Sequence, residues 1–319
     1  MKSLLALFLA AVACGAAGAQ APPSRPVAQH EAKVLHLAAA SDGSVLVTAT
    51  EKALHAWDTK KEKQLWKAPL SEVGIDGLAV GGELVACAPR GLAVAQLFEL
   101  ESGKQRTGLG GPNPLDGGAG ALVVDPKDRW IWLGTQSGTA TRIVPDNVNG
   151  WSRRGMGNGG ITSLALDAKG KTLVVGGSDG TLRFVGAKSA NRDEKKVVET
   201  GEAAVTALGV DPKGSWIVAG CDDGCVGVWK ASSGKRRHEL DAHASGVVHA
   251  TVDPRGKRAA TADLGGEVRL WDLASGEALA MWKPIEGTPV AGLAFVDKGK
   301  ALVTASGTEL LAWDLSDVD

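Results

Sequence analysis

The sequence has 319 residues, a formal net charge of -1, and 44% apolar against 22% charged residues, the balance of a globular chain with a real core. That balance excludes disorder, a collagen-like chain and a multi-spanning membrane protein. The near-neutral charge gives no field to recruit nucleic acid or an acidic membrane surface. With 43 Gly, 10 Trp, 4 Phe and no Tyr, the chain reads as rich in tight turns rather than in helices.

In chain order, Met1-Lys2-Ser3 is a short basic start, Leu4 to Ala13 is an uncharged apolar run, and Ala17-Gly18-Ala19 completes an A-x-A cleavage pattern. Residues 1–19 are therefore expected to be a signal peptide, and the protein to be exported to a periplasm or secreted, with no transmembrane span in the mature chain. A rival cut before Cys14 would leave a lipid-anchored protein instead. Residues 20–29 follow as an extended lead-in. Of the remaining cysteines, Cys221 and Cys225 flank Asp222-Asp223-Gly224, and the spacing suits either a small disulfide across a hairpin or two unpaired thiols. Cys87 has no evident mate.

From there to the end the chain repeats itself. Trp229, Trp271 and Trp313 lie about 42 residues apart, and Trp57 stands about four such intervals before Trp229. A second series marks a turn: Asp125-Pro126-Lys127-Asp128, Asp167-Ala168-Lys169-Gly170, Asp211-Pro212-Lys213-Gly214 and Asp253-Pro254-Arg255-Gly256. A third, Glu101-Ser102-Gly103-Lys104, Ser232-Ser233-Gly234-Lys235 and Ala274-Ser275-Gly276-Glu277, follows the Trp place, which Phe98 takes once. Short runs rich in Val, Leu, Ala and Thr lie between the turns, and none has the length and periodicity of a helix. Each unit thus reads as four strands. The units fall near 30–70, 71–113, 114–156, 157–200, 201–242, 243–284 and 285–319.

Four-stranded units at this period predict an all-β, seven-bladed β-propeller of antiparallel blades. The chain resembles the WD40 family over residues 25–319, best in Thr206 to Trp229 and in His243 to Asp272. The resemblance implies a ring closed by the amino-terminal strand, Arg25 to Gln29, laid beside Leu310 to Trp313. It also implies a hydrogen-bonded set of His, Ser or Thr, Asp and Trp in each good blade. The residues for that set are scattered. His30 and Trp57 are in blade one with Glu51 near the Asp place, and Asp223 and Trp229 are in blade five with Gly201 at the His place. His243 and Trp271 are in blade six with Asp263 only near the Asp position, and Ile143 replaces Trp in blade three.

Two patterns imitate enzymes and fail on context. Gly176-Gly177-Ser178-Asp179-Gly180 matches G-x-S-x-G, but it lies between two strands rather than on a strand-to-helix turn. Gly155 to Gly160 matches G-x-G-x-x-G, but a strand from Ile161 follows where the dinucleotide fingerprint needs a helix. His36 and His249 share one place in the innermost strands, where the other copies carry Gly77, Ala121, Ser163, Ala207 and Gly292. They read either as packed rings bonded to backbone or as a shared channel site.

The expectation is a non-catalytic scaffold for a protein or peptide, monomeric and without a cofactor. The loops that enter the innermost strands are its contact surface, through Glu31, Lys33, Glu72, Asp76, Asp116, Glu202, Asp222 and Glu286. Most of these are acidic, which favours a cationic partner, and no aromatic interleaving for nucleic acid is present. The rival is a propeller enzyme, of hydrolase, lactonase or quinoprotein type, with its site in the central channel.

Overall fold

A computed structural model describes residues 20–70, 73–106, 118–145, 147, 151–156, 159–188, 194–211, 213–240 and 243–318. Seven antiparallel sheets stand around a central axis. Blade one is β2 (His36–Ala39), β3 (Val45–Ala49), β4 (Ala53–Asp58) and β5 (Lys63–Pro69). Blade two is β6 (Ile75–Val80), β7 (Leu84–Pro89) and β8 (Gln96–Glu99), with a single bridge from Phe98 to Gln105 at the place of a fourth strand among the described residues. Blade three is β9 (Ala119–Val124), β10 (Ile131–Thr135), β11 (Thr139–Ile143) and β12 (Trp151–Gly155); blade four is β13 (Ile161–Leu166), β14 (Thr172–Gly177), β15 (Thr181–Gly186) and β16 (Glu194–Glu199). Blade five is β17 (Val205–Val210), β18 (Trp216–Cys221), β19 (Val226–Lys230) and β20 (Arg236–Leu240). Blade six is β21 (Val247–Val252), β22 (Arg258–Asp263), β23 (Val268–Asp272) and β24 (Ala278–Trp282).

Blade seven takes β25 (Val290–Val296), β26 (Ala301–Ser306) and β27 (Glu309–Asp314) from the end of the chain, and its fourth strand, β1 (Ser24–Gln29), from the beginning. Ser24 faces Trp313 and Gln29 faces Glu309, with a register shift between Pro26 and Ala28. Pro26 has no amide to donate, so an outer edge strand is where the sheet tolerates it. The ring closes as the resemblance implied, and β27 has no free edge.

The repeated Asp of the turns has a structural cause. Asp211 and Asp253 are buried, and their carboxylates accept backbone N–H bonds inside the turn: Trp216 N at 2.6 Å for Asp211, Lys257 N at 2.7 Å for Asp253. Asp125 does the same for Lys127 and Arg129, and also holds the Arg129 guanidinium at 2.6 Å. A buried carboxylate is stable there because N–H donors replace its water.

The blades meet through a repeated small-against-branched contact. In β10, β14 and β18 the place is Gly134, Gly176 and Gly220; a Cβ on Gly134 would sit 2.3 Å from Ile161 Cγ2, and one on Gly220 2.4 Å from Val247 Cγ1. In β3, β7, β22 and β26 the same place holds Ala49, Ala88, Ala262 and Ala305, each sharing a buried cluster with the first residue of the next blade: Ile75, Ala119, Val290 and Val34. The branched residue drives into the room left by the missing side chain. Trp66 on β5 and Trp282 on β24, both in outer strands, are buried as well; Trp66 Nε1 donates to Leu100 O of blade two at 2.7 Å.

This packing makes a paired prediction. Gly220→Val forces two branched side chains into one space and should cost about 1–3 kcal/mol. Gly155→Ala, where an added Cβ meets nothing within 4 Å, should stay within about 0.5 kcal/mol. Urea denaturation of both variants checks this, and equal effects would refute the wedge.

Candidate interaction face and central channel

The loops entering the innermost strands and the hairpin turns between second and third strands emerge on one face of the ring, because the four strands of every blade alternate in direction. Glu31, Lys33, Asp76, Glu202, Asp222 and Glu286 are all exposed there. Glu72 and Asp116 lie outside the described residues. Two of the six have local work. Asp76 accepts from Gly91 N at 2.8 Å and Arg90 Nε at 3.3 Å, bracing the turn after β7, and Glu286 pairs with Lys283 at 3.0 Å. Among the described residues, Glu31, Glu202 and Asp222 are exposed and make no such side-chain bond. Asp223 caps its own turn by accepting Cys225 N at 3.0 Å.

In the channel wall, polar side chains near the start of an innermost strand reach across to the first carbonyl of the next blade. Ser163 Oγ donates to Val205 O at 2.8 Å, Thr206 Oγ1 to Val247 O at 2.5 Å, His249 Nε2 to Val290 O at 3.1 Å and His36 Nε2 to Ile75 O at 3.3 Å. Both His rings are thus packed between blades and bonded to backbone. A carbonyl can only accept, which fixes the proton on Nε2. Burial, and for His249 the nearby His36, pushes their pKa values down, His249 to about 4.

The repeat Trp residues are core. Trp57, Phe98, Trp229, Trp271 and Trp313 are all buried. In blade one, Thr48 Oγ1 accepts from Trp57 Nε1 at 3.1 Å and meets His30 Nε2 at 3.1 Å; in blade six, Thr261 Oγ1 does the same for Trp271 at 2.8 Å and His243 at 2.7 Å. Trp313 Nε1 bonds Thr304 at 2.9 Å. Blade five has Ala219 and Gly201 at the hydroxyl and His places, and Trp229 packs in a buried cluster with Phe184 and Ile217. Burial pushes both His30 and His243 down to about 4.

Sequence reasoning missed two neighbours of these rings. His55, on β4, packs edge-on against His30 with ring centroids 4.6 Å apart, beside a groove of about 780 Å³ that also reaches Glu51, Gln64 and Lys67. Glu51 lines the same groove as His30 and Trp57. Glu267, on the far side of the blade-six turn, lies 3.5 Å from His243 Nδ1, and Asp263 takes the carboxylate place at 3.7 Å. The available signal was positional: Asp263 and Glu267 occupy in blade six the places that Cys221 and Cys225 occupy in blade five.

Cys221 and Cys225 stand as separate thiols, the first buried and the second exposed, and Cys87 is buried. Burial raises Cys87 to about 12 and Cys221 to about 11, which makes both poor nucleophiles near neutrality. Ser178 sits in the hairpin between β14 and β15, as its context implied.

Three consecutive segments, 152–185, 195–230 and 234–272, match the family model described as WD domain, G-beta repeat. These three segments are similar to WD40 repeats. Each matched segment begins on the outer strand of one blade and ends on the third strand of the next: the first runs from β12 to β15, the second from β16 to β19 and the third from β20 to β23. The repeat unit is therefore offset by one strand from the blade, the same offset that β1 closes at the seam. No curated protein matches the chain.

The buried imidazoles set a pH dependence. A group with a lowered folded pKa binds more protons in the unfolded chain between the two values, so stability falls as pH drops from about 6.5 towards 4. Thermal melts at constant ionic strength should show Tm declining through that window, and His249→Gln should flatten part of the decline. A Tm unchanged from pH 7 to 4 would contradict the neutral, buried assignment.

Proposed function

We propose that the protein is a non-catalytic binding module, exported under the direction of residues 1–19 and acting as a monomeric ring in a periplasm or outside the cell. Its contact surface is the face that carries Glu31, Glu202 and Asp222, and its partner is a protein or peptide with basic character. WD40 propellers are commonly protein-interaction scaffolds, and no helix among the described residues is long and apolar enough to cross a membrane. The observation that carries the reading is the contrast between channel and face. The channel's His36, His249, Ser163 and Thr206 are bonded to backbone, whereas these three acidic residues are exposed and make no side-chain bond among the described residues. A ring wedged blade against blade offers that face with little ordering cost on association.

The test is affinity capture from an extract of the source's envelope with the native chain and with a Glu31→Lys, Glu202→Lys, Asp222→Lys variant of matched Tm. Asp76 is left intact because it holds its turn. A partner retained by the native chain and lost by the variant, with binding that weakens as salt rises, is the expected result. Equal retention by both chains, or none by either, would overturn the assignment of the face.

A further inference from the structure

Blade one differs from blade six at the place of the carboxylate. Thr50 follows Ala49 where Asp263 follows Ala262, and its hydroxyl bonds within its own turn, to Ala53 O at 3.2 Å and Ala53 N at 3.3 Å. On this side of the blade the groove of about 780 Å³ opens between the end of β1, the β3–β4 turn, β4 and β5. His55 lines it as a buried ring. The Gln64 side chain bonds that ring, and Nδ1 is the nitrogen left without a partner. Lys67 stands directly across from His55 in β5, and Lys52 sits on the turn; both are exposed, and neither makes an ion pair among the described residues. We propose that the groove binds a small organic carboxylate, its anion received by His55 Nδ1–H and the Lys67 ammonium, with Lys52 at the rim and its apolar part against Ala53, Trp57 and Pro69.

The charges at the inner end of the groove set the sign of the ligand. His30 is pushed down by burial, then by His55 and Lys67, so the charges acting on it are all positive. His55 is pushed down by burial and by Lys67, and Glu31 opposes this less strongly than Lys67 promotes it. Glu31 and Glu51 are exposed at the mouth. An entering carboxylate therefore meets the positive field that blade six answers with a carboxylate of its own. It uses a ring and an ammonium outside the His30–Thr48–Trp57 bonds, which stay as they are. Nδ1 is reached by turning aside the long exposed side chains of Gln64 and Lys67 along this wall. A groove of this volume, with apolar walls and a few convergent polar groups, suits a small molecule. Charge-assisted bonds at a half-enclosed site are stronger than at open surface. Because the anion favours the imidazolium form, His55 takes up a proton on binding, and affinity rises as pH falls from about 7 to about 5. The groups facing that ring are His30, Glu31, Glu51, Lys52 and Lys67, and imidazoles are the side chains that ordinarily titrate in this window.

The test uses the full mature chain with nitrogen-labelled histidine, titrated at constant ionic strength with benzoate, its uncharged counterpart benzamide, benzylammonium and inorganic phosphate. Benzoate should shift the His55 ring nitrogens saturably and more tightly at the acid end of the window, and benzamide should not. Lys67→Met, an exposed position, should melt at the native temperature and weaken benzoate about tenfold. His55→Phe keeps a ring stacked on Trp57, assigns the resonance and should abolish the saturable response. An acetylated dipeptide with a free carboxylate, compared with its amide, separates the sources: tighter binding than benzoate assigns a protein C-terminus, weaker binding a free acid. A saturable response to benzylammonium in place of benzoate, an equal response to benzamide, tighter binding of phosphate than of benzoate, or affinity unchanged in Lys67→Met would each overturn the site. No variant alters Glu31, Glu202 or Asp222, so the result stands or falls separately from capture of a partner.

Discussion

The structure depends on one contact repeated around the ring: a Gly or Ala near the end of each second strand, filled by a residue at the start of the next blade. A sheet of four short strands cannot bury both faces by itself. Burying one Val or Ile side chain gives about 1.5–3 kcal/mol, and here that burial occurs at the boundary between blades rather than within one. Gly134 with Ile161 and Gly220 with Val247 show how little room is left, since even a methyl group would overlap. At the blade-two boundary the pair is reduced to Ala88 and Ala119. The bonds from Ser163, Thr206, His36 and His249 to the next blade's carbonyl act beside the wedges and satisfy backbone acceptors that face the channel. An open ring would strand one set of these contacts, so β1 on β27 is part of the same device.

This arrangement determines where chemistry is available. Buried carboxylates such as Asp211 and Asp253 are consumed by their turns, buried imidazoles are held neutral, and the buried thiols are held protonated. What remains free to act is on the face formed by the loops and hairpin turns. There the acidic residues of several blades are exposed.

Much of the fold is legible in the sequence because its signals are local. The Asp-Pro turns, the Trp spacing and the short alternating runs each report on bonds made within a few residues, and together they give the blade count; the seam is what the WD40 resemblance implies. The site is less legible because its contacts cross strands and blades. Asp76 reads as a surface charge, yet it braces Gly91, fifteen residues on. His55 and Glu267 are unremarkable as single letters, and only the registers of β3 with β4 and β22 with β23 bring them beside His30 and His243. Asp263 lies close to the expected Asp place in the sequence, and the structure puts it there, 3.7 Å from His243 Nδ1.

The claim on which the account rests is that the wedges make the ring one cooperative body, seam included. Native-state hydrogen exchange resolved by strand tests it directly. The account predicts that amides paired between β1 and β27 exchange only through global opening, with the same free energy and denaturant dependence as those between β17 and β18. Exchange at the seam through a separate opening of lower energy, leaving the other blades protected, would show that closure is incidental and that the binding face is not rigid.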